Sequence, residues 1–543
     1  MKKLLLVLLL LGIFLRVGGV NDALYQDESI WGMAIKDSSG YSEITEKIPH
    51  PPFAIWIFQL INAPFSVGSF SMRLVPFLFG ILNIVLVYYL AKEFFNEKVA
   101  VWASVLMLFS FWHFIASLQV DMEGSVLTFM FLVTFWSYLK FVKTSDNKWL
   151  WITSLLFGVA MITKLTSVLI GVIIGLHSLI HRKDIKKSFR ELLPIALTGI
   201  VFLLVWVIWA YFFNPAMFSF IIGHSGGAVY VEGDSIFSLL PIVYFLLWGT
   251  VLFTFLLLLS FKYFKKENLL YYLWVLVPIV FYLFVGTGFI ATYDRYLMIT
   301  LPGLAILGGY VISQYTFERK DYVFGGLLLV IGFVGSVGLN TMGDVVVHNI
   351  SNYFLLALGF QWNFLFPLSS STGPVIVVNF LTITISFILC FVLLGISHFS
   401  KNKGLSKYYF LAFLGIALGF NLFLINENIY PLTQGDVSDS MYEIIDYISE
   451  NNLEGPFLSN IFAIDFYLKD ITDQTEHRAF NYLTSNELID ELMESVVEGK
   501  GTVIVLDYPT LDKESHLWDS LNTCPLAHEV ISKGFKTGYI FQC

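Results

Sequence analysis

Charge is what this sequence has least of. Asp, Glu, Lys and Arg make up only 13% of its 543 residues, while 57% are hydrophobic. Such a balance excludes an ordinary soluble domain, and the apolar length is too great for one compact core. Cysteine is nearly missing as well, with only Cys390, Cys524 and Cys543. Neither a CxxC nor an HExxH pattern occurs, so the metal centres built on those spacings are excluded. What the chain has instead is apolar runs of roughly 18 residues or more, each able to cross a hydrocarbon layer about 30 Å thick. The fold class read from this is a polytopic α-helical membrane protein.

The scarce charges are unevenly placed. From Pro431 to the end there are 20 acids and 6 Lys/Arg, whereas residues 1–430 hold 21 acids and 26 Lys/Arg. This divides the chain into a multi-span body, residues 1–430, and an acidic tail domain, residues 431–543. An acidic tail argues against nucleic acid and against docking on an anionic bilayer. Alternating helix and strand patterns make the tail a small α/β domain. "SDSMYEIIDYISENN" has helical spacing with Ser440 or Asp439 as its cap, and "GTVIVLDYP" reads as a buried strand. It carries no Gly-rich phosphate loop and no nucleophile elbow, so the chemistry is not expected there. Cys524 and Cys543 share this tail and are able to pair if it faces an oxidising compartment.

The body reads as thirteen spans: 3–20, 72–91, 99–116, 123–141, 149–162, 164–181, 193–212, 238–260, 269–290, 296–315, 322–340, 375–397 and 408–426. One set of alternate connections carries 20 basic residues and the other six. The positive-inside rule therefore puts the first set in the cytoplasm and the tail outside. The long connections, 21–71, 213–237 and 341–374, are then external. "PPFAIWIFQLINAPF" and "FLLALGFQWNFLFPL" within them read as interfacial helices, the first started by Pro51 and Pro52. Asn349–Ser351 is a possible glycosylation sequon in the third.

Ionisable residues at a membrane are costly unless paired or wet, so each is a functional candidate. On this topology they gather at one level. Arg16 ends the first span, and Asp27 and Glu28 follow it in "YQDESIW". His50 precedes two prolines. Arg73 opens the second span, and Asp121 and Glu123 fill the turn in "QVDME". Lys164 occupies a tight external turn, and Asp294 and Arg295 open the tenth span. Singly, each has a plainer role: snorkelling from a span end for Arg16 and Arg73, a helix cap for Asp121, a surface pair for Asp294 and Arg295. Together they make a mixed site. Carboxylates accept a proton from a hydroxyl nucleophile, and cations hold a phosphate and the charge that grows on it. That chemistry suits a lipid-phosphate substrate at the outer leaflet.

"LGIFLRVGG…YQDESIW", "HPPFAIW", "SMRLVPFLFGILNIVLVYYLAKEFFNEKVAVWASVLM", "ASLQVDME", "GVAMITKLTS" and "YDRYLMITLPGLAILGG" appear in this order over roughly residues 1–320. The pattern resembles polyprenyl-phosphate-sugar-dependent glycosyltransferases of the C-type fold, nearest the protein-O-mannosyltransferase and aminoarabinose-transferase superfamily. The resemblance implies Asp27 as the general base, Glu28 as its support and Asp121 as a second catalytic acid. His50, Arg73, Lys164, Asp294 and Arg295 would face the substrate and its lipid phosphate. It also implies direct displacement with inversion, a polyprenyl-phosphate sugar donor, and no required cofactor. Departing from that pattern, Glu123 lies two residues after Asp121, a spacing that leaves room for a divalent ion. The acceptor is left open between a protein hydroxyl, a lipid-linked glycan and a surface polymer.

Two other functions fit parts of the sequence. A transporter or flippase of lipid-linked sugars would want ionisable groups at mid-span and an internal repeat, and neither is evident. A non-catalytic scaffold whose tail binds a partner leaves the outer acid and base residues unexplained.

Overall fold

The computed structural model describes residues 2–38, 40–48, 50–182, 184–227, 245–246, 250–284, 293–340, 355–368, 376–453, 455–461, 463–469, 471, 477–479, 486–507 and 516–543. The first helices are α1 (Lys2–Val17), α2 (Asp27–Lys36), α3 (Tyr41–Lys47), α4 (Pro52–Asn62), α5 (Ser69–Phe94), α6 (Glu97–Leu108), α7 (Phe111–Ala116) and α8 (Ser125–Thr144). Among the described residues nine helices are long and apolar enough to cross a membrane. Shorter apolar helices cover Leu4–Val17, Pro52–Asn62 and Val251–Tyr263. The chain is a multi-pass membrane protein. Each of the thirteen predicted spans overlaps a helix, although residues 238–244 and 247–249 of the eighth lie outside the described residues.

Side-chain burial separates core helices from peripheral ones. In the helix Leu301–Ser313 nearly every residue is buried, and Gly309 brings it against α6. A Cβ at Gly309 would lie 2.8 Å from the backbone of Val99 and Ala103, so only glycine permits this approach. By contrast, Ile185–Phe213 and Arg319–Leu339 turn Val205, Ile208, Leu327, Val330 and Val334 outward. Such an apolar face is what lipid requires.

The third predicted span is broken. Ser110 interrupts it and caps α7 by accepting from the backbone of His113. The helix α4 begins at Pro52 as the sequence predicts, with Trp56 and Leu60 exposed and Ala54, Ile55 and Phe58 buried. The other expected interfacial helix is not formed. Leu355–Leu358 makes one helical turn, and β1 (Leu365–Leu368) then pairs antiparallel with β2 (Ile376–Asn379). The Asn349–Ser351 sequon and residues 228–237 of the second long connection lie outside the described residues.

The tail contains β3 (Phe457–Ser459), β4 (His477–Ala479), β5 (Thr502–Leu506), β6 (Leu526–Ser532) and β7 (Phe535–Gln542), in the order β4-β3-β5-β7-β6. Strands β3, β4 and β5 run parallel, and β7 is antiparallel to both neighbours. Lys533 and Gly534, with φ of 53° and 84°, supply the left-handed pair that a two-residue hairpin needs. Alternation along β5 sends Ile504 and Leu506 to one face and Val503 and Val505 to the other. The helix Val437–Glu450 covers the first face with Met441, Ile444 and Ile448. Its cap is Asp436, which accepts from Ser438 and Asp439, rather than the predicted Asp439 or Ser440. The helix Asn486–Glu498 covers the second face with Ile489, Leu492 and Val496.

Cys524 and Cys543 are joined, tying the ends of the β6–β7 hairpin across a sequence separation of 19. Closing a loop of this size restricts the unfolded chain by about 3 kcal/mol. Replacing both cysteines by serine is therefore expected to destabilise the tail by about that amount. Faster hydrogen exchange along β5 and β7 of the full chain would register the loss.

Candidate functional site

The residues singled out in the sequence separate into two groups. Glu28 and Arg73, both fully buried, form a bidentate pair, with NH1 to Oε1 at 2.9 Å and NH2 to Oε2 at 2.7 Å. Glu28 also accepts from the backbone N–H of Val120 at 2.9 Å and of Tyr25 at 3.0 Å. Arg73 spends its other donors on the carbonyls of Asp22, Ala23 and Leu118 at 3.0, 2.7 and 2.6 Å. All five guanidinium N–H groups are thus engaged. Glu28, expected as the support of Asp27, is taken up by Arg73 and two backbone donors, and Arg73, expected to face the substrate, has no donor left for one. Burial raises the Glu28 carboxyl above its ordinary value, and Arg73 and the two backbone donors oppose that rise. The pair clamps residues 22–28 to residues 118–120, the two segments that lead to Asp27 and Asp121. Arg16 is likewise buried rather than snorkelling, bonded to the Gly12 carbonyl and to His113 Nδ1, both at 3.2 Å.

The second group faces a common space. Gln26, at φ 43°, turns the chain sharply into α2, so that Asp27 and Glu28 leave it in different directions. Asp27 is 49% exposed and lies 3.3 Å from Arg295, which is 14% exposed. Arg295 Nε is buried without a hydrogen-bond partner among the described residues. Lys164 donates to Glu123 Oε1. Asp121 accepts from the backbone of Gly124 at 2.9 Å, but Gly124 itself is the N-cap of α8 and no side chain caps that helix, so Asp121 is not the expected cap; it interacts electrostatically with Glu123 and Arg295. His50 stacks on Trp31, ring centroids 5.4 Å apart, and acts electrostatically on Glu123. Phe53 N–H donates to the Ile162 carbonyl at 3.0 Å and ties α4 to the turn of Lys164. The backbone of Asp294 belongs to the short helix Tyr293–Leu297, and its side chain lies outside the described residues.

Two tyrosines join this group without having been assigned a role from the sequence. Arg295 and Lys164 both lie over the Tyr296 ring, at 5.2 and 5.7 Å from its centroid. Tyr282 stacks on Tyr296 at 5.4 Å. Tyr296 stands next to Arg295 in "YDRYL", and its adjacency to a cation at a span end was the available signal. Tyr282 sits in a uniformly apolar run that offers none.

The charges are staggered. Burial and the neighbouring Glu123 push the Asp121 carboxyl up to about 7, against the pull of Arg295 and Lys164. Burial acts on Glu123 too, but Lys164, Arg295 and His50 outweigh it and hold that carboxyl at about 2. The site therefore has one acid that is ionised throughout and one that titrates near neutrality. Among the described residues no three His, Cys, Asp or Glu side chains come together as a metal site.

Residues 49–211 match the family model described as dolichyl-phosphate-mannose-protein mannosyltransferase. Over the whole chain the fold is similar to that of ArnT from Cupriavidus metallidurans in the apo state. That match has 16% identity and a TM-score of 0.60, covering 99% of this chain and 97% of the other. The chain has the C-type glycosyltransferase fold. The same ArnT bound to undecaprenyl phosphate is similar to this chain at 15% identity and a TM-score of 0.59, with the same coverage. No curated protein matches it by sequence.

Truncating one member of a buried ion pair leaves the other charge uncompensated, at a cost of about 3–5 kcal/mol. Glu28→Ala is expected to destabilise this protein by about that much, and Glu28→Ala with Arg73→Met by less than the sum. Thermal unfolding of the purified variants in detergent provides the check.

Proposed function

We propose that this protein is a glycosyltransferase that moves one sugar from a polyprenyl-phosphate carrier to a hydroxyl-bearing acceptor outside the membrane, with inversion at the anomeric carbon. The observation that carries this reading is the 3.3 Å approach of Arg295 to Asp27, with Lys164 on Glu123 beside it. A half-exposed carboxylate next to two cations is the arrangement that a proton transfer and a departing phosphate both need.

The donor phosphate is drawn to Arg295 and Lys164, and the Nε of Arg295, without a hydrogen-bond partner among the described residues, supplies a hydrogen bond to it. Competing for Arg295, the phosphate releases Asp27 to act as base. The acceptor oxygen then attacks the anomeric carbon as the carbon–oxygen bond to the phosphate breaks. The bonding pair leaves with polyprenyl phosphate, and the hydroxyl proton passes to Asp27. His50, stacked on Trp31, and Tyr296 line the approach. Asp121 regulates the local charge. This reading requires no cofactor. The acceptor is a protein hydroxyl, a lipid-linked glycan or a surface polymer. The basic connections on one side and the joined cysteines of the tail support an extracytoplasmic site and a separate tail domain, residues 431–543.

Asp27→Asn is expected to abolish transfer from a purified donor, by about a thousandfold or more, while donor binding persists. Normal turnover in that variant would refute the assignment of the base. A second expectation concerns pH. Below about 7 Asp121 is neutral, and above it the group adds a negative charge beside the phosphate. The donor KM should therefore rise as pH increases through this value. Asp121→Asn, which mimics the neutral form, should flatten that dependence in a pH series of initial rates.

A further inference from the structure

A cavity of about 500 Å³ opens between the tail and the turn that precedes α5, apart from the Asp27 site. Phe65 and Phe70 meet edge to face there, ring centroids 6.2 Å apart, and remain 47% and 46% exposed. Ser66 and Ser69 stand between them in sequence, and Tyr442 and Tyr467 enter from the tail. Among the described residues no lining residue is Asp, Glu, Lys, Arg or His, although the tail carries 20 acids. Neutral hydroxyls interleaved with open aromatic rings match a ligand that is uncharged and has both polar edges and apolar faces. A saccharide has that chemistry; a phosphate or an acidic peptide does not.

The cavity wall is continuous with the segment that presents the base. Tyr442 Oη donates to the Asn21 carbonyl at 2.9 Å, and Leu24 N–H donates to Tyr467 Oη at 2.7 Å. Ser69 Oγ bonds both tyrosines, at 3.2 and 3.1 Å. Asp27 follows on this same segment. We propose that the cavity is a subsite for an uncharged saccharide portion of the acceptor, which it holds while the reacting hydroxyl reaches Asp27. The proposal rests on the transfer reading above and names the acceptor's chemistry within it. Binding at a distance from the reacting atoms orients the nucleophile, and it does so without a charge that would compete for Arg295.

Gly68 gives a direct test. Its backbone is extended, with φ of −157°, and a Cβ there meets nothing within 4 Å. Gly68→Phe therefore fills the cavity without straining the chain, and Phe70→Ala removes one wall without filling it. The probe is a series of neutral manno-oligosaccharides, titrated into the full chain in lipid nanodiscs and followed by saturation-transfer NMR. The wild type is expected to bind, with Kd weakened by about tenfold or more in both variants. Acceptor-free cleavage of the sugar donor should be unchanged in both. Absence of oligosaccharide binding to the wild type would overturn the proposal, as would equal binding by Gly68→Phe. Displacement of the bound probe by a lysophospholipid would also overturn it, assigning the cavity to lipid instead. Donor cleavage by Asp27→Asn is a separate arm. If it persists, the transfer reading fails, whatever the saccharide titration shows.

Discussion

The buried pair of Glu28 and Arg73 is the constraint on which the site depends. Two charges cannot sit dry in a membrane protein unless every hydrogen bond around them is satisfied. Here that requirement is met almost wholly by main-chain groups, from Asp22, Ala23, Tyr25, Leu118 and Val120. Satisfying the pair therefore fixes the course of two chain segments that are far apart in sequence. Asp27 leaves one of them and Asp121 the other. The relative position of the two acids is set by a pair already taken up by these bonds.

The outer group works by the opposite logic. Its charges are only partly satisfied, and they are matched against one another rather than against the backbone. Arg295 reaches Asp27 with one nitrogen, and its Nε has no hydrogen-bond partner among the described residues. Lys164 occupies Glu123. Such partners can be exchanged for a ligand's oxygens at modest cost, because each bond given up is replaced by one of the same kind. A fully bonded interior and an under-bonded rim lie on adjacent residues of one helix.

Much of this was legible in the sequence, because ionisable residues stand out against apolar runs. Asp27, Glu123, Lys164 and Arg295 were recognisable for that reason, and the helices follow from the length of the runs between them. The difference between Asp27 and Glu28 was not legible. It depends on the turn at Gln26 and on the carbonyls that surround Arg73, and neither leaves a pattern in side-chain identity. Strands β3 and β4 are too short for alternation to show. The β1–β2 pair was hidden because "FLLALGFQWNFLFPL" is apolar enough to suit a helix as well. Tyr282 was lost among its apolar neighbours.

The bond from Phe53 to the Ile162 carbonyl has a mechanical consequence. Through it, α4 is fastened to the turn that carries Lys164. Trp56 and Leu60 on the exposed side of α4 give it the character of a float, one that settles where the lipid headgroups meet the acyl chains. The depth of the cation is thereby referenced to the bilayer surface instead of to the centre of the protein. A carrier phosphate is held at that surface by its own tail. Protein and carrier thus take their height from the same plane, and a thinner or thicker bilayer shifts both together.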